Sequence, residues 1–145
     1  MKTPIFIPYE HLSLMHYLNI NDIIYVSKLN DNDANIRTSS EIIYDCKNYK
    51  HIIDLIKYRS KETDKCFKEL CVFNNETQLA NYTPTYIFID MNMIYKVYKT
   101  YTVKRINELN YYKYIIKFTT GYLKDFYDIE VYQSDQYMEQ NFNRF

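Results

Sequence analysis

Apolar positions recur along the first half of the chain at intervals of three and four. Leu12, Met15 and Leu18 follow that spacing, with Leu14 beside them. Pro8 stands ahead of them and can open a helix, because a proline in the first turn loses no hydrogen bond there. Asn19 to Asp22 interrupts the pattern, and Asn or Asp at that point can cap a second short helix over Ile23 to Leu29. Thr38-Ser39-Ser40-Glu41 has the form of a capping box, with a hydroxyl at the cap and a glutamate three residues on. Ile42, Cys46, Tyr49, Ile53 and Ile56 come next and form the clearest amphipathic stripe in the sequence. A further helix is expected from Ser60, carrying Cys66, Phe67, Leu70 and Cys71 on one side.

Asn74 to Pro84 reads as a loop. From Thr85 the period moves toward two. Tyr86 to Ile89, Tyr95 to Val103 and Tyr111 to Thr119 are rich in β-branched and aromatic residues. Asn107 to Asn110 connects two of these strands, Gly121 sits where a turn needs it, Asp128 to Tyr132 is a last strand, and the tail from Gln133 is polar. Met91, Tyr95, Tyr98 and Thr102 also lie at helical spacing, so helix stays open for residues 91–107. The predicted fold class is α+β, a helical N-terminal half followed by a C-terminal antiparallel β-sheet. It forms one domain over residues 1–145, with helices within 7–29 and 38–72 and strands over 85–133.

Composition narrows the function classes. The chain has 145 residues, 47% of them hydrophobic, which suits a packed globule. It carries 18 Tyr, 18 Ile and 14 Asn against 2 Ala, the bias of AT-rich codons, as in a giant virus, a protist or a low-GC bacterium. Gly121 is the single glycine, so the phosphate-cradling P-loop, the dinucleotide fingerprint and the G-x-S-x-G elbow have no sequence to occupy. No catalytic constellation and no cofactor motif is expected. Formal net charge is zero, which gives no global pull toward nucleic acid or membrane. No run approaches the roughly 18 apolar residues of a membrane span. The start has no signal-peptide pattern, and three cysteines fit reduced thiols in a cytoplasmic setting. Asn75-Glu76-Thr77 and Asn81-Tyr82-Thr83 are then chance matches to the glycosylation pattern.

Cys46, His51, Cys66 and Cys71 have the right count for structural zinc. Placed on helices, residues five apart point about 140° apart and do not converge, so no metal is expected. His11 and His16 have the same spacing and the same outcome. The stretch Met93 to Lys124 holds Lys96, Lys99, Lys104, Arg105, Lys113, Lys117 and Lys124 against Glu108, with tyrosines interleaved. Basic groups beside aromatic platforms can bind single-stranded nucleic acid. The acids that follow, Asp125, Asp128 and Glu130 among them, are placed to neutralise the strip, so weak binding at best is expected.

Residues 7–29 read IPYEHLSLMHYLNINDIIYVSKL. This segment resembles the start of an F-box: Ile7-Pro8 and Glu10 match its opening, Tyr17-Leu18 the end of its first helix, and Asp22-Ile23 and Val26-Ser27 the entry to its second. The match departs where the first helix is one residue short and where Ile20 replaces the frequent proline. The resemblance implies a helical hairpin that binds a Skp1-type partner of a cullin ubiquitin ligase. It also implies a partner-binding face made of Ile7, Pro8, Leu12, Leu14, Met15, Leu18, Ile23, Ile24 and Val26. An adaptor is thus the expected function. A structural or virion-associated protein is the alternative, and a nucleic-acid module stands behind both.

Overall fold

The computed structural model describes residues 3–120 and 123–142. The chain forms two compact units, Met1–Glu69 with Tyr86–Met93, and Leu70–Thr85 with Ile94–Phe145.

The first unit is built mainly of strands, which corrects the expectation of a helical N-terminal half. β1 (Phe6–His11) and β2 (Leu14–Asn19) form an antiparallel hairpin. After a 3-10 turn at Ile20–Asp22 come β3 (Ile23–Lys28), β4 (Asp33–Thr38) and β5 (Ile42–Lys47). α1 (Tyr49–Arg59) follows, then β6 (Phe67–Val72), of which Leu70–Val72 belong to the second unit, and β7 (Thr85–Asp90), of which Thr85 does. The sheet order is β5-β4-β3-β7-β6.

Turn chemistry decides this outcome. Leu12 and Ser13 adopt φ of 52° and 63°, a two-residue turn of the hairpin-closing kind made without glycine. With that turn in place Ile7 and Tyr9 point inward and Pro8 and Glu10 outward, a period of two that wins over the helical spacing of Leu12, Met15 and Leu18. The expected capping box also makes its bonds, but inside a turn. Thr38 Oγ1 accepts from the Glu41 N–H at 3.1 Å and from the Ser40 N–H at 3.3 Å, closing β4 onto β5. The helix begins later, where the Asn48 side chain accepts from the His51 N–H at 3.2 Å. Tyr49, Ile53 and Ile56 of the predicted stripe are therefore on α1, whereas Ile42 and Cys46 lie on β5. Cys46, Tyr49, Ile53 and Ile56 join Ile7, Ile23, Val26, Ile36 and Phe88 in one core, while Ile42 is half-buried and its neighbour Ile43 is the buried residue on β5 beside Cys46.

A buried ion pair joins the end of β7 to the segment before β6. Lys65 Nζ lies 2.8 Å from Asp90 Oδ2, with the two side chains 7% and 1% exposed. The ammonium also donates to the Ile23 carbonyl at 3.0 Å. Asp90 Oδ1 accepts from the Cys66 and Asn92 N–H groups, each at 3.2 Å.

In the second unit, β8 (Ile94–Ile106), β9 (Leu109–Thr120) and β10 (Leu123–Ser134) form an antiparallel sheet in the order β10-β9-β8. Residues 94–106 are thus extended rather than helical. Asn107 and Glu108 close the β8–β9 hairpin with φ of 51° and 67°, again without glycine. Two short helices lie where loop and tail were expected. α2 (Glu76–Asn81) starts where Asn75 Oδ1 accepts from the Gln78 N–H at 2.8 Å, and ends on Tyr82 in the left-handed region. α3 (Asp135–Phe142) starts where Ser134 Oγ accepts from the Tyr137 N–H at 3.2 Å. Phe73, Leu79, Tyr111 and Tyr132 pack together here. Gly121, Tyr122 and the side chains of Lys124 and Asp125 lie outside the described residues.

Phe73 and Tyr132 exchange both backbone hydrogen bonds, at 3.0 and 2.7 Å. The same ladder would next pair Cys71 with Ser134, but Ser134 is occupied in starting α3. Side chains stand in: Gln133 Nε2 donates to the Cys71 carbonyl at 2.6 Å, and the Cys71 N–H donates to Tyr137 Oη at 2.7 Å. Among the described residues no helix is long and apolar enough to cross a membrane.

Candidate functional site

The residues expected to face a partner divide between core and surface. Ile7, Ile23, Ile24 and Val26 are buried, so they cannot meet another protein without unfolding their own. Pro8 and Leu18 are half-buried, and Leu18 packs on the core. Leu12, Leu14 and Met15 are exposed, by 75%, 63% and 58%, and the unforeseen Tyr17 by 68%. The helical hairpin expected over 7–29 is a β-hairpin at its start and a core strand at its end. The signal available for it was the run of β-branched and aromatic residues Ile5, Phe6, Ile7 and Tyr9.

Register fixes which side chains share a face. Pro8 pairs with Tyr17 and Glu10 with Met15, so these four lie on the outer face of the hairpin with Phe6. On the other face the Tyr9 and His16 rings stack at 5.4 Å, and His11 meets His16 edge-on at 5.8 Å. Beside Met15 is a groove of about 280 Å³, walled by Pro8, Tyr9 and Ile52 and rimmed by His51 and Lys47. Lys47 is paired with Asp33 at 3.4 Å.

On the three-stranded sheet the expected basic and aromatic strip separates by strand. Lys113 of β9 pairs with Glu130 of β10 at 3.2 Å, and Lys117 with Asp128 at 3.9 Å. Tyr111, Tyr114 and Phe118 of β9 are buried, and burial pushes the Tyr111 and Tyr114 hydroxyls up to about 12. Tyr95, Tyr98 and Tyr101 of β8 are exposed.

The cysteines are not on helices as expected. Cys46 is on β5, Cys66 precedes β6 and Cys71 is on β6, while His51 is on α1. Among the described residues no group of three or more His, Cys, Asp or Glu is placed to hold a metal. Burial, reinforced by the Asp45 and Asp33 charges, pushes the Cys46 thiol up to about 11, away from a nucleophilic thiolate.

Other clefts among the described residues include one of about 230 Å³ lined by Thr3, Asn21, Glu62, Thr63 and Asp64, and two more. One of about 370 Å³ in the second unit is lined by Phe73, Tyr82, Tyr111, Gln133 and Tyr137. Two of its lining side chains, Gln133 and Tyr137, hold the Cys71 main chain. In the other, of about 250 Å³, the Tyr49 hydroxyl donates to Glu69 at 2.9 Å and Lys50 pairs with Asp54 at 3.8 Å. In both, the named polar groups are engaged within the protein, whereas the hairpin rim presents exposed apolar side chains and the β8 edge exposed tyrosines and cations. No protein-family model, no curated protein and no solved structure matches the chain.

Proposed function

We propose that the chain is a non-enzymatic interaction protein that engages a protein partner through the rim of its β1–β2 hairpin. The observation that carries this is the set of exposed apolar side chains at Leu12, Leu14, Met15 and Tyr17. Single exposed apolar residues are ordinary on any protein, whereas several gathered on one small hairpin have the pattern of a docking surface. The groove beside Met15 offers a seat for an apolar side chain of the partner, with polar groups around its mouth, the arrangement of an interface centre and its rim.

The F-box resemblance points to the same segment, but a Skp1-type contact relies on helices in a groove. Residues 6–19 are two strands joined by a turn, so the fitting partner presents an apolar cleft that accepts a β-hairpin tip. The test is Leu14→Asp/Met15→Asp in the intact chain. Both side chains are solvent-exposed, so melting should move by no more than a few degrees. The partner recovered by the wild-type bait from eukaryotic cells should disappear. A folded double variant that recovers the same proteins in the same yield, Skp1 included, overturns the proposal.

A further inference from the structure

We propose that the β8 edge of the three-stranded sheet binds single-stranded nucleic acid. From Ile94 to Ile106 this strand carries Lys96, Lys99, Lys104 and Arg105 and no acid. The neighbouring acids were expected to neutralise the whole strip, yet the pairs described reach only β9: Glu130 holds Lys113 and Asp128 holds Lys117. Among the described residues the β8 cations have no carboxylate within 4.0 Å, and Lys96, Lys104 and Arg105 are exposed. A zero net charge thus conceals a local line of positive charge along one strand.

The aromatic groups are set among those cations. Lys99 pairs with Tyr114 and Thr102 with Tyr112, so β8 has one residue more than β9 between these points. That bulge places Tyr101 on the same face as Tyr98. The Thr100 hydroxyl secures it by donating to the Lys113 carbonyl at 2.9 Å. The Tyr98 ring lies 5.2 Å from Lys96 Nζ and 5.9 Å from Lys117 Nζ. With Tyr98 36% and Tyr101 58% exposed, each offers a surface on which an unpaired base can stack while the lysines meet phosphates. A duplex keeps its bases stacked on one another and has nothing to lay on these rings.

An acidic peptide is the competing polyanion. It would add as a strand to the β8 edge, and that needs regularly spaced N–H and C=O groups. β8 is irregular at three places along its pairing with β9, which breaks that spacing, so the edge suits stacking and charge better than strand addition.

The test is fluorescence anisotropy of the intact protein with labelled dT20. With four phosphates neutralised, the single-strand salt slope is about −2.8, so raising salt from about 50 to about 150 mM should weaken binding about 20-fold. Lys96→Glu/Lys104→Glu/Arg105→Glu should abolish binding. Tyr98→Ala/Tyr101→Ala should weaken it about tenfold or more, and Tyr98→Phe/Tyr101→Phe should stay within about twofold of wild type, because phenylalanine keeps the stacking face. The Phe variant and the charge reversal keep the test decisive should the Ala variant misfold. Absence of dT20 binding at low salt overturns the proposal. So does equal affinity for duplex DNA, and so does a polyglutamate peptide that binds more tightly than dT20.

Discussion

Asp90→Ala should be the most damaging small substitution in the first unit. The carboxylate receives Lys65 Nζ at 2.8 Å on one oxygen and the Cys66 and Asn92 N–H groups at 3.2 Å on the other. Removing it leaves an ammonium 7% exposed with the Ile23 carbonyl as its remaining acceptor, and two backbone donors without theirs. Breaking a buried pair from one side costs about 3–5 kcal/mol. That is a large part of the roughly 5–15 kcal/mol that holds a domain folded. Lys65→Met should cost less, about 2 kcal/mol, because Asp90 keeps two hydrogen bonds and methionine fills the volume of the lysine stem. Asp90→Asn with Lys65→Met keeps an oxygen for the two N–H groups and removes both charges, so it should return to within about 1 kcal/mol of wild type. Urea unfolding followed by circular dichroism, with slopes compared across the variants, measures all three. The reasoning is refuted if Asp90→Ala costs under about 1 kcal/mol, or if the double variant is no more stable than Asp90→Ala.

Glu108→Gly should stabilise the second unit by about 1 kcal/mol, read from the urea midpoint, since Glu108 holds φ of 67° where glycine meets no steric penalty. Leu12→Asn/Ser13→Gly should do the same for the β1–β2 hairpin. Alkali should unfold the protein through its tyrosines. The Tyr111 and Tyr114 hydroxyls titrate at about 12 in the fold because of burial and at about 10 once unfolded. Their contribution is complete below about pH 10 and is lost as pH rises toward 12. Phenolate absorbance should therefore show a step coincident with loss of the circular dichroism signal. Complete phenolate formation while the circular dichroism signal is intact would contradict this. A thiol reagent near neutral pH should label the exposed Cys66 promptly and the buried Cys46 only as the protein opens, which peptide mapping of the labelled protein resolves.

The second half of the chain was legible in its strands because β-branched and aromatic residues are dense there and Asn107 marks the turn. The first half misled because its turns lack the usual residues. A chain with one glycine closes hairpins with Leu12-Ser13 and Asn107-Glu108, and a leucine at a turn tip looks like a helix anchor. Thr38 and Glu41 showed that a hydroxyl and a following N–H would meet, but that contact occurs equally at a helix cap and in a strand-to-strand turn. Sequence spacing cannot separate the two. Asn75 and Ser134 were readable caps, hidden because the helices they begin are short and polar. At the hairpin, Leu12, Leu14 and Met15 stand out as apolar, whereas Tyr17 reads as the end of a first helix rather than as part of a face.

The side-chain bracket on Cys71 bears on how the protein is made. Its two hydrogen bonds span 62 and 66 residues of sequence. Loops of that length close late, after local turns and hairpins have formed. On the ribosome, Leu70 to Phe73 must wait for Tyr132 to Tyr137 to leave the exit tunnel before its main chain is fully bonded. During that interval a strand edge is open to other nascent chains and to proteases. Slow codons between Asn74 and Gln133 would lengthen the exposure, whereas a chaperone that shields an open strand edge would cover it.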